Sequence, residues 1–253
     1  MNDAAFKLQK PPIIEAILDV DCDMPPGQDL ATLEEPAKAA FLEQYPESRR
    51  ALVQEHHIEA KPDQAPKISV RQQVLALQFL REDDKRLVQV RAQGFSFNKL
   101  APYSTLDDYL PEIERTWRTF VVLASPVQIR AVRLRYINRI LIPMEGGQVR
   151  LDGYIALAPR LPDPATLVMA GFLTQTVAVE RETGSRASIV TTAQPPEKGA
   201  LPVILDITAE SLKIGEVENW TCLLAKIVSL RALKNRIFKK TLTERCLNLY
   251  QQH

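Results

Sequence analysis

Three cysteines in 253 residues, Cys22, Cys222 and Cys246, are too few and too scattered for a disulfide framework, and no Cys-x-x-Cys spacing offers a zinc or redox pair. They are expected as reduced thiols in a cytoplasm. Glycine is scarce too, at nine residues. Phosphate-cradling loops therefore have little material, and neither the P-loop nor the dinucleotide-binding pattern occurs; His-Glu-x-x-His and Gly-x-Ser-x-Gly are missing as well. No apolar run approaches the roughly 18 residues a membrane span needs, and no basic stretch followed by an apolar segment marks the N-terminus as a secretion signal. A net charge of +1, from 32 Lys+Arg against 31 Asp+Glu, removes any global electrostatic case for nucleic-acid binding but leaves open a local patch.

What is present is ordinary for a globular chain: 45% hydrophobic and 25% charged residues, enough to bury a core. After Pro11-Pro12, Ile14, Ala16, Leu18 and Val20 fall on one side of a strand at period two. Leu30, Leu33, Ala37, Ala40 and Phe41 recur at helical steps to about Tyr45, with Pro36 expected to kink this helix or displace its start. Strands follow near 52–61, 68–80 and 86–98, the last two joined at Glu82–Lys85, with Leu75, Leu77 and Phe79 facing the core. Ser104, with Asp107 three residues on, is expected to cap a helix over 105–123 that buries Ile113, Trp117, Phe120 and Val121.

The same order then recurs. A long strand, Val127 to Ile142, precedes a weaker segment, Leu151–Ala158, and a proline-broken loop; strands near 167–181, 186–194 and 201–209 follow. Thr183-Gly184-Ser185 reads as a turn. A long helix begins near Val217, with a further capping pattern at Thr241 and Glu244. The expected fold is α+β: two similar β-α-β-β-β-α halves, 1–124 and 125–253, with antiparallel sheets covered by helices on one side and a long C-terminal helix.

The most informative residues lie on the two opening strands. Val132, Leu134, Tyr136, Ile140 and Ile142 share one face of the second, so Arg133, Arg135 and Arg139 form a row on the other. In the first, Glu15, Asp19 and Asp21 form an acidic row opposite the apolar residues. A pseudo-twofold arrangement of duplicated halves would set the two rows side by side. Three readings stand together: cross-strand ion pairs on a solvated face, a surface where arginine forks grip an anion or phosphate backbone, and a protein-binding surface. Asn138 shares the apolar face of Tyr136 and Ile140 and, if buried, needs hydrogen-bond partners.

His56 and His57 point to opposite faces of one strand and cannot jointly ligate a metal; Glu55, His57 and Glu59 share a face and allow only a weak metal or acid–base reading. The C-terminal helical region carries Lys226, Arg231, Lys234, Arg236, Lys239, Lys240 and Arg245 with Glu244 as its one acid, which reads as a solvated helix face or a contact for nucleic acid or an acidic partner.

Four stretches in order, Pro11–Ile17, Gln93–Tyr103, Leu134–Ile140 and Phe238–Glu244, resemble a sporadically distributed bacterial family of uncharacterised proteins of about this length. The resemblance implies a bacterial cytoplasmic protein, with mobile or defence-associated gene neighbourhoods, and supplies no activity, cofactor or catalytic residue. It singles out Glu15, Phe95, Phe97, Asn98, Tyr103, Arg135, Tyr136 and Asn138. The resulting expectation is a binding or regulatory protein without catalysis, cofactor or metal, acting on a protein partner or as a homodimer through Arg133, Arg135, Arg139, Asn138, Glu15 and Asp19. The alternative is a nucleic-acid or nucleotide binder using the arginine-lined face or the basic C-terminal helix.

Overall fold

The computed structural model describes residues 8–59, 67–81, 85–146, 149–213 and 215–251, with backbone alone at 55–59 and 67–69. The first half runs β1 (Ile13–Asp23), α1 (Leu30–Phe41), β2 (Glu47–Glu59), β3 (Lys67–Arg81), β4 (Arg86–Arg91), β5 (Gly94–Leu100) and α2 (Leu106–Ala124). The second runs β6 (Gln128–Pro143), a 3-10 turn (Leu151–Gly153), β7 (Leu173–Val179), β8 (Arg186–Ala193), β9 (Ala200–Ser211), α3 (Trp220–Thr241) and α4 (Glu244–Asn248). All nine strands form one sheet in the order β2-β3-β4-β5-β1-β6-β9-β8-β7, every pair antiparallel. The α+β class and long C-terminal helix are as expected, and the antiparallel strands of both parts of the chain join edge to edge in one sheet under the helices.

Side-chain alternation divides that sheet into two unlike faces. Ala16, Leu18 and Val20 of β1, Phe95 and Phe97 of β5, and Val132 and Leu134 of β6 point to one face and are buried there under α1, α2 and α3. Trp117 and Phe120 of α2 pack edge-on and tilted against Phe95, with ring centroids 5.7 Å away in each case. A second cluster sits at the other end of the same face, where Ile140, Ile142, Val203 and Leu205 meet Phe238, Leu242 and Cys246, with Tyr154 and Ile155 from the weaker segment. The opposite face carries the charged rows.

Several expectations shift for local reasons. The anticipated strand 86–98 is two strands, because Ala92-Gln93 turns the chain and Gly94 takes φ +138°, a value suited to glycine. A Cβ on Gly94 would also lie 2.1 Å from the Val20 carbonyl oxygen, so β1 approaches β5 as closely as it does only over a glycine. Leu75 is exposed although Leu77 and Phe79 are buried: a shift in register between Ala51 and Leu52 lets β3 bulge there. A similar shift between Ile13 and Glu15 turns Ile14 outward. Thr105, not Ser104, is the N-cap of α2, its N–H donating to Asp108 Oδ2 at 2.7 Å. Likewise Thr243, not Thr241, caps α4 and accepts from the Cys246 N–H. The strand expected over 167–181 is confined to β7. The Thr183–Ser185 turn forms, with Gly184 at φ +72°. Glu82–Asp84 and the side chains of Glu55, His56, His57 and Glu59 lie outside the described residues.

Candidate functional site

The two opening strands do pair. β1 and β6 run antiparallel side by side at the centre of the sheet, with Asp19 opposite Arg133, Leu18 opposite Leu134 and Ala16 opposite Tyr136. The acidic and arginine rows therefore meet on the open face, and nearly every charge there has a partner. Arg133 is bound to Asp21 rather than Asp19, and its Nε lies 3.1 Å from Glu210 of β9. Asp21 also receives Arg91 of β4 at 2.7 Å, and Glu210 receives Arg186 of β8 at 2.7 Å. The result is a five-member ladder of alternating sign, Arg91, Asp21, Arg133, Glu210, Arg186, whose two carboxylates are buried.

A second row crosses the other half of the sheet. Arg49 Nε donates to Gln78 at 2.8 Å, Gln78 to Gln89 at 2.7 Å, Gln89 to Asn98 at 2.9 Å and Asn98 to Glu15 at 2.7 Å. Each donor amide faces the next strand's acceptor, so the relay runs one way from β2 to the Glu15 carboxylate. Asp19 accepts from the Ser96 hydroxyl. Arg135 holds Asp206 with Nε 3.0 Å from both carboxylate oxygens, and that pairing raises its already high pKa. Arg139 reaches Glu197 at 2.7 Å and Gln194 at 3.2 Å. Cross-strand pairing on a polar face is thus the reading the geometry favours; the partners on β4, β8 and β9 had no signature in the opening strands alone.

The basic residues of the C-terminal helices do not form a bare stripe either. Arg231 is paired with Asp107, Arg236 with Glu180 and Arg245 with Glu145, while Lys234 is buried. Those acids come from α2 and from the segments just after β7 and β6.

Asn138 is separated from the other expected site residues. It lies on the covered face, 1% exposed, and its amide donates to the Leu205 carbonyl at 2.9 Å. There it helps line a cavity of about 330 Å³. One wall is the segment leading into β1, Leu8 to Pro12, with Ile13 at its start; another is the turn from Tyr103 into the start of α2; the third is α3 at Arg231, Lys234, Asn235 and Phe238, with Tyr136 and Asn138 as the β6 contribution. Pro11-Pro12 stiffens the first wall, and the Thr105 cap fixes where α2 begins.

Tyr103 and Tyr136 in the lining belong to a tyrosine cluster completed by Tyr109 behind them. Tyr103 and Tyr136 hydroxyls lie 3.1 Å apart and Tyr109 donates to Tyr103 at 3.3 Å. Burial drives all three hydroxyl pKa values upward, so they remain neutral donors and acceptors. The Lys234 ammonium stands 3.8 Å from the Tyr136 ring centroid, and Arg231 reaches Asp107 at 2.7 Å on the rim. Such a lining sets hydrogen-bonding groups beside the apolar Leu8, Pro12 and Phe238. The stretches Pro11–Ile17, Gln93–Tyr103, Leu134–Ile140 and Phe238–Glu244 all reach this cavity, through Pro11 to Ile13, Tyr103, Tyr136 with Asn138, and Phe238. Lys234 and Arg231 were visible in the sequence only as members of a basic run.

Among the described residues, no group of three or more His, Cys, Asp or Glu side chains could hold a metal ion, and no helix is long and apolar enough to cross a membrane. No protein-family model matches the chain, and no curated protein matches it significantly.

Proposed function

We propose that the chain is a binding or regulatory module without chemistry of its own, and that it recognises a small polar molecule in the cavity between the pre-β1 segment, the start of α2 and α3. The observation that carries this reading is convergence: segments separated by more than two hundred positions in sequence bring polar side chains of different kinds to one partly open cavity. A volume of about 330 Å³ lies at the low end of ligand sites, which run to roughly 300–1,000 Å³. The mixture of neutral hydroxyls with Lys234 and Arg231 suits a ligand bearing a carbonyl or anionic group beside an apolar part. Placement in a bacterial cytoplasm, and in a mobile or defence-associated locus, belongs to the same proposal through the family resemblance. An origin by duplication is also part of it. β1 and β6 pair with each other, and each has on its other side the strand that leads into its half's long helix, β5 before α2 and β9 before α3.

The test is native mass spectrometry and metabolite identification on tagged protein purified from its host, for the wild type and for Asn235→Trp, which fills the cavity from α3. A small molecule held in stoichiometric amount by the wild type and lost from the variant is the expected result. Nucleic acid retained at low salt and released by Glu substitutions at Arg133, Arg135 and Arg139, with the cavity empty, would replace this reading with the nucleic-acid one.

A further inference from the structure

The two margins of the sheet are built differently. β2 carries Glu47, Arg49 and Arg50 along its edge, the charges by which natural sheets discourage edge-to-edge pairing. β7, Leu173-Thr174-Gln175-Thr176-Val177-Ala178-Val179, has no charge and no proline, and side chains on both of its faces are exposed: Leu173 at 71%, Val177 at 57% and Val179 at 64% on one, Thr176 and Ala178 on the other. Leu167 and Val168, a few residues earlier in the chain, are exposed too.

The hydrogen-bond phase of β7 shows what its edge offers. Phe172 accepts from Ala193 and Glu180 donates to Ser185, so even-numbered residues turn their backbone groups toward β8. The N–H and C=O groups of Leu173, Gln175, Val177 and Val179 therefore point away from the sheet. An antiparallel pairing of β7 with the same strand of a second molecule, centred on Thr176, sets Leu173 opposite Val179 and Gln175 opposite Val177, twice each. Every outward group of the strand then finds a partner, and no like charges meet: Glu180 of one copy falls beside Phe172 and Gly171 of the other. Leu173 packs beside Val179, and the two Thr176 residues face each other.

We propose that this edge is a homodimer interface, in which two copies join β7 to β7 about a twofold axis at Thr176 and the sheet becomes continuous across both molecules. The occupant is a second copy because the strand's register is self-complementary and its neutrality removes the repulsion that self-pairing would otherwise meet. A seven-residue contact of this kind makes a dimer whose population rises with concentration.

Sedimentation velocity across a wide concentration range tests it. The wild type is expected to shift from monomer to dimer, and Val177→Pro to remain monomeric at every concentration. Proline there removes an outward donor and none of the bonds to β8, so its far-ultraviolet circular dichroism should match the wild type. A crosslinking arm in a Cys222→Ser background stands independently of that variant's folding. In an antiparallel non-hydrogen-bonded pair the Cα atoms are about 4.5 Å apart, which a disulfide can span. Thr176→Cys should therefore form a disulfide-linked dimer on mild oxidation. Thr174→Cys, four positions from its own counterpart, should not. A wild type that stays monomeric throughout, a dimer that survives Val177→Pro, or equal crosslinking at 174 and 176 overturns the proposal. A monomer that instead takes up an extended peptide on β7 would show the partner to be another chain.

Discussion

The two faces of this sheet are made from the same strands, yet they are held by different forces. On the covered face, Leu18, Val20, Phe95, Phe97, Val132 and Leu134 are buried by three helices, and stability there comes from removing apolar surface from water. On the open face many of the residues between them are charged or amide-bearing; Arg91, Arg133, Arg135 and Arg186 pair with acids one or two strands away, and Arg139 with one in the β8–β9 loop. The difference separates two roles that a row of arginines can play. A row without counter-ions is an electrostatic invitation to phosphate; a row matched by Asp21, Asp206, Glu197 and Glu210 is sheet structure. The cavity of about 330 Å³ lies on the covered side, between the N-terminal segment, the start of α2 and α3.

Perturbing each face in turn sharpens this contrast. Trp117→Ala, on the covered face, should have the largest effect, a loss of about 3–5 kcal/mol in urea unfolding, because it opens a cavity against Phe95 and Phe120. Asp21→Ala comes next: it leaves Arg91 and Arg133 without their shared acid beneath a largely buried surface, for a loss of about 1–3 kcal/mol. If that variant instead matched Trp117→Ala, the two faces would not differ as described. Arg135→Ala should cost least, under about 1 kcal/mol, since its pair with Asp206 is partly open to solvent.

Alkaline titration supplies a further contrast. Burial pushes the thiols of Cys22 and Cys246, ordinarily at 9.0, and the hydroxyl of Tyr250 up to about 12. The folded protein thus keeps protons that the unfolded chain gives up, and its stability must fall as pH rises from about 9 toward 12. Thermal unfolding temperatures should decline over that window. The decline should be smaller in Cys22→Ala, which removes one covered-face group, and unchanged in Arg135→Ala. Iodoacetamide at neutral pH should label Cys222, the exposed thiol, ahead of both buried ones.

Period-two alternation made the opening strands readable before any coordinates: β1 and β6, the orientation of Arg133, Arg135 and Arg139, and the odd position of Asn138 all follow from it. The partners of those arginines were not readable, since Glu210, Asp206 and Glu197 lie some sixty to eighty positions away and only the β6–β9 register and the adjoining loop bring them close. Bulges defeat the alternation rule where they occur, at Ile14 and Leu75, because one extra residue reverses the faces. The break between β4 and β5 rested on a single signal, Gly94, whose need for an open Cβ position depends on Val20 of another strand. The cavity was not readable as a site, although the sequence singles out Tyr103, Tyr136 and Asn138 in its lining one by one. Its walls come from residues 8–13, 103–108, 136–138 and 231–238, and Lys234 there looks in sequence like any other member of a basic helix.

The most direct test of the account compares ligand retention by three forms purified from the native host: the wild type, Asn235→Trp in the cavity, and Arg135→Glu on the open face. The account predicts a bound small molecule in the wild type and in Arg135→Glu, and none in Asn235→Trp. Retention by Asn235→Trp with loss from Arg135→Glu would contradict it and return the binding role to the open face.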